Sequence, residues 1–102
     1  MVLFIKAQGS LSMQKKHLKT LNAIFSRPVS GTIRWKDIEA LFVALGAEIQ
    51  EREGSRVAVI LLKQVKVFHR PHPEPTTDKG AVASVRTWLE QNNITPDQVG
   101  SD

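Results

Sequence analysis

At Gly46 the spacing of apolar residues changes, and that change constrains the fold more tightly than any composition value. Before it, Trp35, Ile38, Leu41, Phe42 and Leu45 recur three and four apart, the stripe of a helix that must bury one face. Asp37 falls in the first turn, where the helix dipole favours an acid, and Gly46 supplies the C-terminal stop. After it the period is two. Ala47 and Ile49 alternate with Glu48 and Gln50, Glu53-Gly54 makes a short turn, and Val57-Ala58-Val59-Ile60-Leu61-Leu62 reads as a buried strand. Lys63-Gln64 turns the chain again. The third strand places Val65, Val67 and His69 on one face and Lys66, Phe68 and Arg70 on the other. With the two valines directed at the helices, His69 stands half covered at the rim of the core and Arg70 points to the open face of the sheet.

The flanking segments complete the layout. Asp78 is a good N-cap for a helix whose apolar side carries Val82, Val85, Trp88 and Leu89, expected to pack beside the helix that begins at Trp35. Asn92-Asn93 supplies a left-handed stop, Ile94 folds back on the last turn, and Pro96 prevents continuation. Upstream, Leu18, Leu21, Ile24 and Phe25 recur at helical spacing after Ser12 as N-cap, and Arg27-Pro28 ends that helix. The division expected is a flexible arm over residues 1–12, an extra helix over 13–26, a compact domain over 34–96 and a disordered tail over 97–102. Trp35 is read as core, because its spacing already accounts for it, in preference to an aromatic docking site.

A chain of 102 residues fits one domain and leaves no room for a separate cofactor domain. The absence of cysteine excludes a disulfide framework, a thiolate zinc site and a cysteine nucleophile, and fits a cytoplasmic setting. In the apolar opening, Lys6 and Gln8 follow too soon for a signal-peptide core. The net charge of +4 is lopsided: seven basic residues and no acid precede Asp37, and seven basic face ten acidic residues from there on. Such an N-terminus is similar to an organellar transit peptide, but an interior helix pattern and Pro28 favour a basic arm near phosphate.

Chemistry-bearing residues gather where the third strand ends, at Phe68-His69-Arg70-Pro71-His72-Pro73. A titratable base, a fixed cation and a backbone stiffened by proline are the parts needed to hold and cleave a phosphodiester; the same run also serves as a rigid strand exit with solvated side chains. His72, beyond Pro71, is expected to be the more exposed imidazole. No carboxylate cluster or histidine pair has metal-ligand spacing, so neither metal nor other cofactor is expected. Ser55, His72 and Glu74 lack the nucleophile-elbow pattern of a serine triad.

The order helix, three strands, helix is the compact layout of a double-stranded-RNA-binding-like domain: an α+β fold with a three-stranded antiparallel sheet, two helices on one face and an extra N-terminal helix. Within it, Asp37 to Phe42, Leu45-Gly46, Gly54-Ser55, Pro71-His72-Pro73 and the Gly80 to Leu89 helix closed by Ile94-Thr95-Pro96 together resemble the HicA toxin family over roughly residues 34–96. The resemblance implies an RNA-cleaving toxin neutralised by a HicB antitoxin protein. It also implies a catalytic histidine directly after Gly54-Ser55, where this chain has Arg56. His72 matches the histidine of the strand exit.

Two functions follow. In one, His72 or His69 is the base of a metal-independent ribonuclease acting on single-stranded RNA or mRNA, with Arg56 and Arg70 gripping phosphate and Ser55 at the hairpin beside them. In the other, the substitution at Arg56 leaves a silent RNA-binding or antitoxin-binding module, with Lys66, Phe68 and Arg70 as contacts on the open sheet.

Overall fold

The computed structural model describes residues 11–101, so residues 1–10, most of the expected arm, and residue 102 lie outside the described residues. The elements run β1 (Leu11–Met13), α1 (Lys15–Ile24), α2 (Trp35–Ala44), β2 (Glu48–Glu51), β3 (Arg56–Leu61), β4 (Gln64–His69), α3 (Lys79–Gln91) and β5 (Val99–Ser101). Strands β2, β3 and β4 form an antiparallel sheet in sequence order, with α2 and α3 on one face and α1 packed on those helices. This is the α+β, double-stranded-RNA-binding-like arrangement expected, with its additional helix.

Both sheet-packed helices end as their residues dictate. At the end of α2, Gly46 takes φ 95° while its N–H donates to Val43 and that of Ala47 to Phe42, closing the orphan carbonyls of the last turn. Asn93 does the same for α3 at φ 60°, with the Ile94 N–H bonded 2.9 Å to the Leu89 carbonyl. Asp78 caps the start of α3 by accepting from the Ala81 N–H at 2.7 Å. The N-cap of α1 is Gln14, without a side-chain bond, whereas Ser12, the expected cap, lies in β1.

The tail departs from expectation. Residues 97–102 read as disordered, yet Pro96–Gln98 form a 3-10 turn and Val99–Ser101 pair in parallel with Leu11–Met13. Met13 and Val99 are both buried in the core, which gives the pairing an apolar anchor that polar Gly, Ser and Asp neighbours conceal in the sequence.

The facing of β4 is the reverse of the one expected. Phe68 is only 6% exposed, whereas Val65 is 61% and Val67 48% exposed, and His69 is exposed beside them. Phe68 enters an aromatic cluster with ring centroids 5.6 Å from Trp35, 5.8 Å from Phe42 and 6.1 Å from Trp88. The register carries this parity across the sheet: core-facing Ile49 pairs with Val59, Val59 with Lys66, and Val57 with Phe68. The second turn is at Leu62 and Lys63, both with positive φ, one residue earlier than Lys63-Gln64. Gln64 therefore begins β4 on the helix side, where its amide accepts from the Trp88 indole at 2.9 Å and donates to Asn92 at 2.9 Å.

Phe68→Ala is expected to cost about 3–5 kcal/mol of stability by opening a cavity among the three remaining rings, while Val67→Thr stays within about 0.5 kcal/mol as a surface change. Urea unfolding of the two variants measures the contrast; equal losses would return Val67 to the core.

Candidate functional site

The open face of the sheet is built in three rows across the strands, because residues paired in an antiparallel ladder share a face. Glu48, Ile60 and Val65 make one row and Gln50, Ala58 and Val67 the next. The third row is Arg52, Arg56 and His69. Arg56 pairs with His69, and the Arg52 N–H donates to the Arg56 carbonyl at 2.9 Å, which extends the β2–β3 ladder by one step. Two guanidinium groups and an imidazole thus line up at one end of the sheet, bordered by exposed valines.

The Arg56–His69 pair is the closer kind of cross-strand pair. The Arg70 N–H bonds 2.9 Å to the Ser55 carbonyl just beyond it, so the two residues do not exchange backbone bonds, and their side chains sit nearest one another in such positions. Gly54 and Ser55, at φ 69° and 66°, turn the chain so that Arg56 opens β3, and the Arg56 Nε donates 3.0 Å to the Glu53 carbonyl. That bond orients the guanidinium and leaves its two terminal nitrogens for a ligand. Arg52 is braced in turn by Gln50, at 2.9 Å.

The sequence-derived site residues separate into two groups. His69 and Arg56 share the open face, and Ser55 contributes its backbone to the turn beside them. His72 is exposed on the loop after β4, as expected. Lys66, Phe68 and Arg70 do not form an open-face triplet. Phe68 belongs to the core, and Lys66 lies on the helix side with its ammonium 5.9 Å from the Phe68 ring centroid, beside α3. Arg52 is a site residue that the sequence reading misses; extending the period-two alternation of β2 past Gln50 reaches it.

Arg70 is a structural cation. Its Nε and Nη2 donate to the two oxygens of Glu39 on α2 at 2.6 and 3.1 Å, while Nη1 and Nη2 donate to those of Glu51 on β2 at 2.5 and 2.8 Å. Glu39 also accepts from the Trp35 indole N–H, so one carboxylate joins helix, strand exit and aromatic cluster. Hydrogen bonding from Arg70 holds the Glu51 carboxyl below its ordinary range, and the two carboxylates raise the Arg70 pKa further. All three guanidinium nitrogens are engaged by two carboxylates, which leaves no fork for phosphate. Among the described residues no three histidine or acidic side chains are gathered to hold a metal ion, and no helix is long and apolar enough to cross a membrane.

Arg70→Lys cannot bridge two carboxylates with a fork and is expected to lower stability, measured as a smaller midpoint in urea unfolding at neutral pH. A carboxylate with a depressed folded pKa stabilises above its unfolded pKa and loses that contribution as pH falls through the folded value. The gap between the parent and Arg70→Ala should accordingly narrow as pH drops through and below the ordinary carboxylate range, and a constant gap would assign Arg70 a packing role alone.

The segment from the start of α2 to the residue that closes α3 is also the segment that matches a known family. Its description is HicA toxin of bacterial toxin-antitoxin, and the match covers residues 35–94. No curated protein and no solved structure matches the chain. β1, α1 and β5 fall outside the matched segment, whereas all three strands of the sheet, the Arg56 turn and both sheet-packed helices fall within it. On a match spanning more than half of its residues, the chain belongs to the HicA family of toxins of bacterial toxin–antitoxin modules.

Proposed function

We propose that the protein is a metal-independent ribonuclease, the toxin of its module, in which His69 serves as the base and Arg56 as the cation on phosphate. The observation that carries this reading is the cross-strand pairing of Arg56 with His69 on the open sheet face. The family resemblance calls for a catalytic histidine at the position of Arg56. In this chain the two functional groups stand on neighbouring strands in one row, so an imidazole remains beside the position that carries the arginine.

The chemistry uses the ribose itself. A neutral His69 imidazole takes the proton of a 2′-OH, the 2′-oxygen attacks the adjacent phosphorus, and the 5′-oxygen leaves with a proton from solvent or from His72. Arg56 holds the phosphoryl oxygens through its terminal nitrogens as negative charge accumulates on them, with Arg52 beside it. Histidine titrates near neutrality, so it can exchange protons at cellular pH. Val65 and Val67 offer apolar surface next to this row, suited to the faces of unstacked bases. The partner that family membership implies is a HicB antitoxin, which would silence the toxin by covering the same face.

A second reading rests on the identity of residue 56. An arginine in place of the family's histidine suits a domain that grips RNA, or its antitoxin, without cutting.

Incubation with mixed-sequence single-stranded RNA in excess chelator, beside DNA of the same sequence, separates the readings. Cleavage confined to RNA is expected. His69→Ala should lower its rate by about 10²–10⁴-fold, the usual contribution of general base catalysis, and Arg56→Ala by about 10²-fold or more. His72→Ala at the same rate as the parent would assign proton donation to solvent. RNA binding without product would establish the silent reading, and cleavage unchanged in His69→Ala would overturn the assignment of the base.

A further inference from the structure

We infer that the cleft between α1 and α2 is a phosphate subsite, through which the extension preceding the family-matched segment holds the RNA backbone away from the scissile bond; this rests on the RNA reading above. The cleft encloses about 500 Å³. Lys16, His17 and Lys19 line it from α1, Thr32 and Arg34 from the connecting segment, and Asp37 from α2. Three fixed cations thus face one carboxylate. Among the described residues the ion pairs are those of Arg70, so Lys16, Lys19 and Arg34 each lack a carboxylate within 4.0 Å. Cations gathered in excess of the one carboxylate beside them repel one another, and a concave wall concentrates their net field on whatever anion enters.

The sequence builds this arrangement into α1. Leu21 and Ile24 are buried in the core, while Lys16, Lys19 and Thr20 lie three and four apart on the side that lines the cleft. The helix is therefore amphipathic between core and cleft, and its cations are directed to a concave surface that another element completes.

The course of the ligand is set by Arg34. It also lines a second groove, of about 290 Å³, with Lys36, Arg70, Pro71 and Pro75 at the exit of β4. Pro71 follows His69 by two residues, so the two concavities join the strand exit to the cleft across the N-terminus of α2. A single-stranded polyanion lying on the open-face row and leaving past Pro71 meets Arg34 first and then Lys16 and Lys19. A compact anion would need only one concavity. Two that share an arginine fit an extended phosphate backbone.

The test is equilibrium binding of labelled single-stranded RNA in the His69→Ala background, where no product forms, with RNAs of about 6 and about 20 nucleotides over a range of salt concentrations. Adding Lys16→Ala and Lys19→Ala, both exposed positions, is expected to remove most of the affinity gained between the short and the long RNA, about tenfold or more at low salt. The slope of log affinity against log salt for the long RNA should fall by roughly 0.7 for each phosphate that is no longer neutralised. Lys63→Ala, which removes one exposed charge in the β3–β4 turn, is the equal-charge control for Lys16→Ala or Lys19→Ala taken singly and should change neither quantity comparably. Unchanged gain and slope in a protein that still binds RNA would overturn the subsite alone and leave its cations to an acidic protein segment. Absence of RNA binding by the His69→Ala background and by the parent would overturn the RNA reading and the subsite together.

Discussion

The Phe68 ring, buried between Trp35, Phe42 and Trp88, orients everything else in the domain. It is the only aromatic side chain the sheet sends into the helix layer, and it meets rings from both sheet-packed helices. A strand has two faces, so placing one ring inside fixes every neighbour. Once Phe68 is in, His69 is out, and cross-strand pairing sets Arg56 beside it and Arg52 beyond. The chemistry of the open face is thus a consequence of core packing one residue away.

Arg70 shows the same economy of position. One residue further along, the chain leaves β4 with its side chain back on the helix side, where two carboxylates from different elements engage it. The pair is partly exposed, so its energetic worth is moderate, but its geometry is specific: α2, the end of β2 and the strand exit are fixed relative to one another. The loop carrying Pro71 and His72 departs from that fixed point, and the Trp35 N–H bonded 3.0 Å to the Pro75 carbonyl ties its far end to the start of α2. An exposed histidine on a loop anchored at both ends has a restricted range of positions.

Charge is distributed by the same architecture. Helix α1 carries Lys15, Lys16 and Lys19 outside the family-matched segment, with Lys16 and Lys19 on the cleft it forms with α2, and the matched domain sets Arg52 and Arg56 in a row with His69 at one end of the sheet. Between the two, Arg34 and Lys36 cross the start of α2. A positive helix N-terminus flanked by basic residues extends the same sign of potential, and an anionic chain following it gains from each step.

The three helices, the three strands of the central sheet and their order are written in the chain itself, whereas β1 and β5 are not. The stripe from Trp35 to Leu45, the Gly46 stop, the Asp78 cap and the Asn93 stop each act through local sterics or hydrogen bonds within a few residues, which is why they are legible without a fold. Legible too is the gathering of an imidazole and guanidinium groups around β4. Which face they occupy is settled by tertiary packing. β3 is apolar at five consecutive positions, Val57 to Leu61, and carries no alternation, so it transmits no parity to β4, and two valines weigh against one phenylalanine on hydropathy alone. Volume resolves that contest: only the ring fills the space between Trp35, Phe42 and Trp88. Likewise nothing near Arg70 in the chain reveals Glu39 and Glu51 as its partners, and nothing near Val99 reveals Leu11 as its ladder partner, because these contacts form only when distant segments pack.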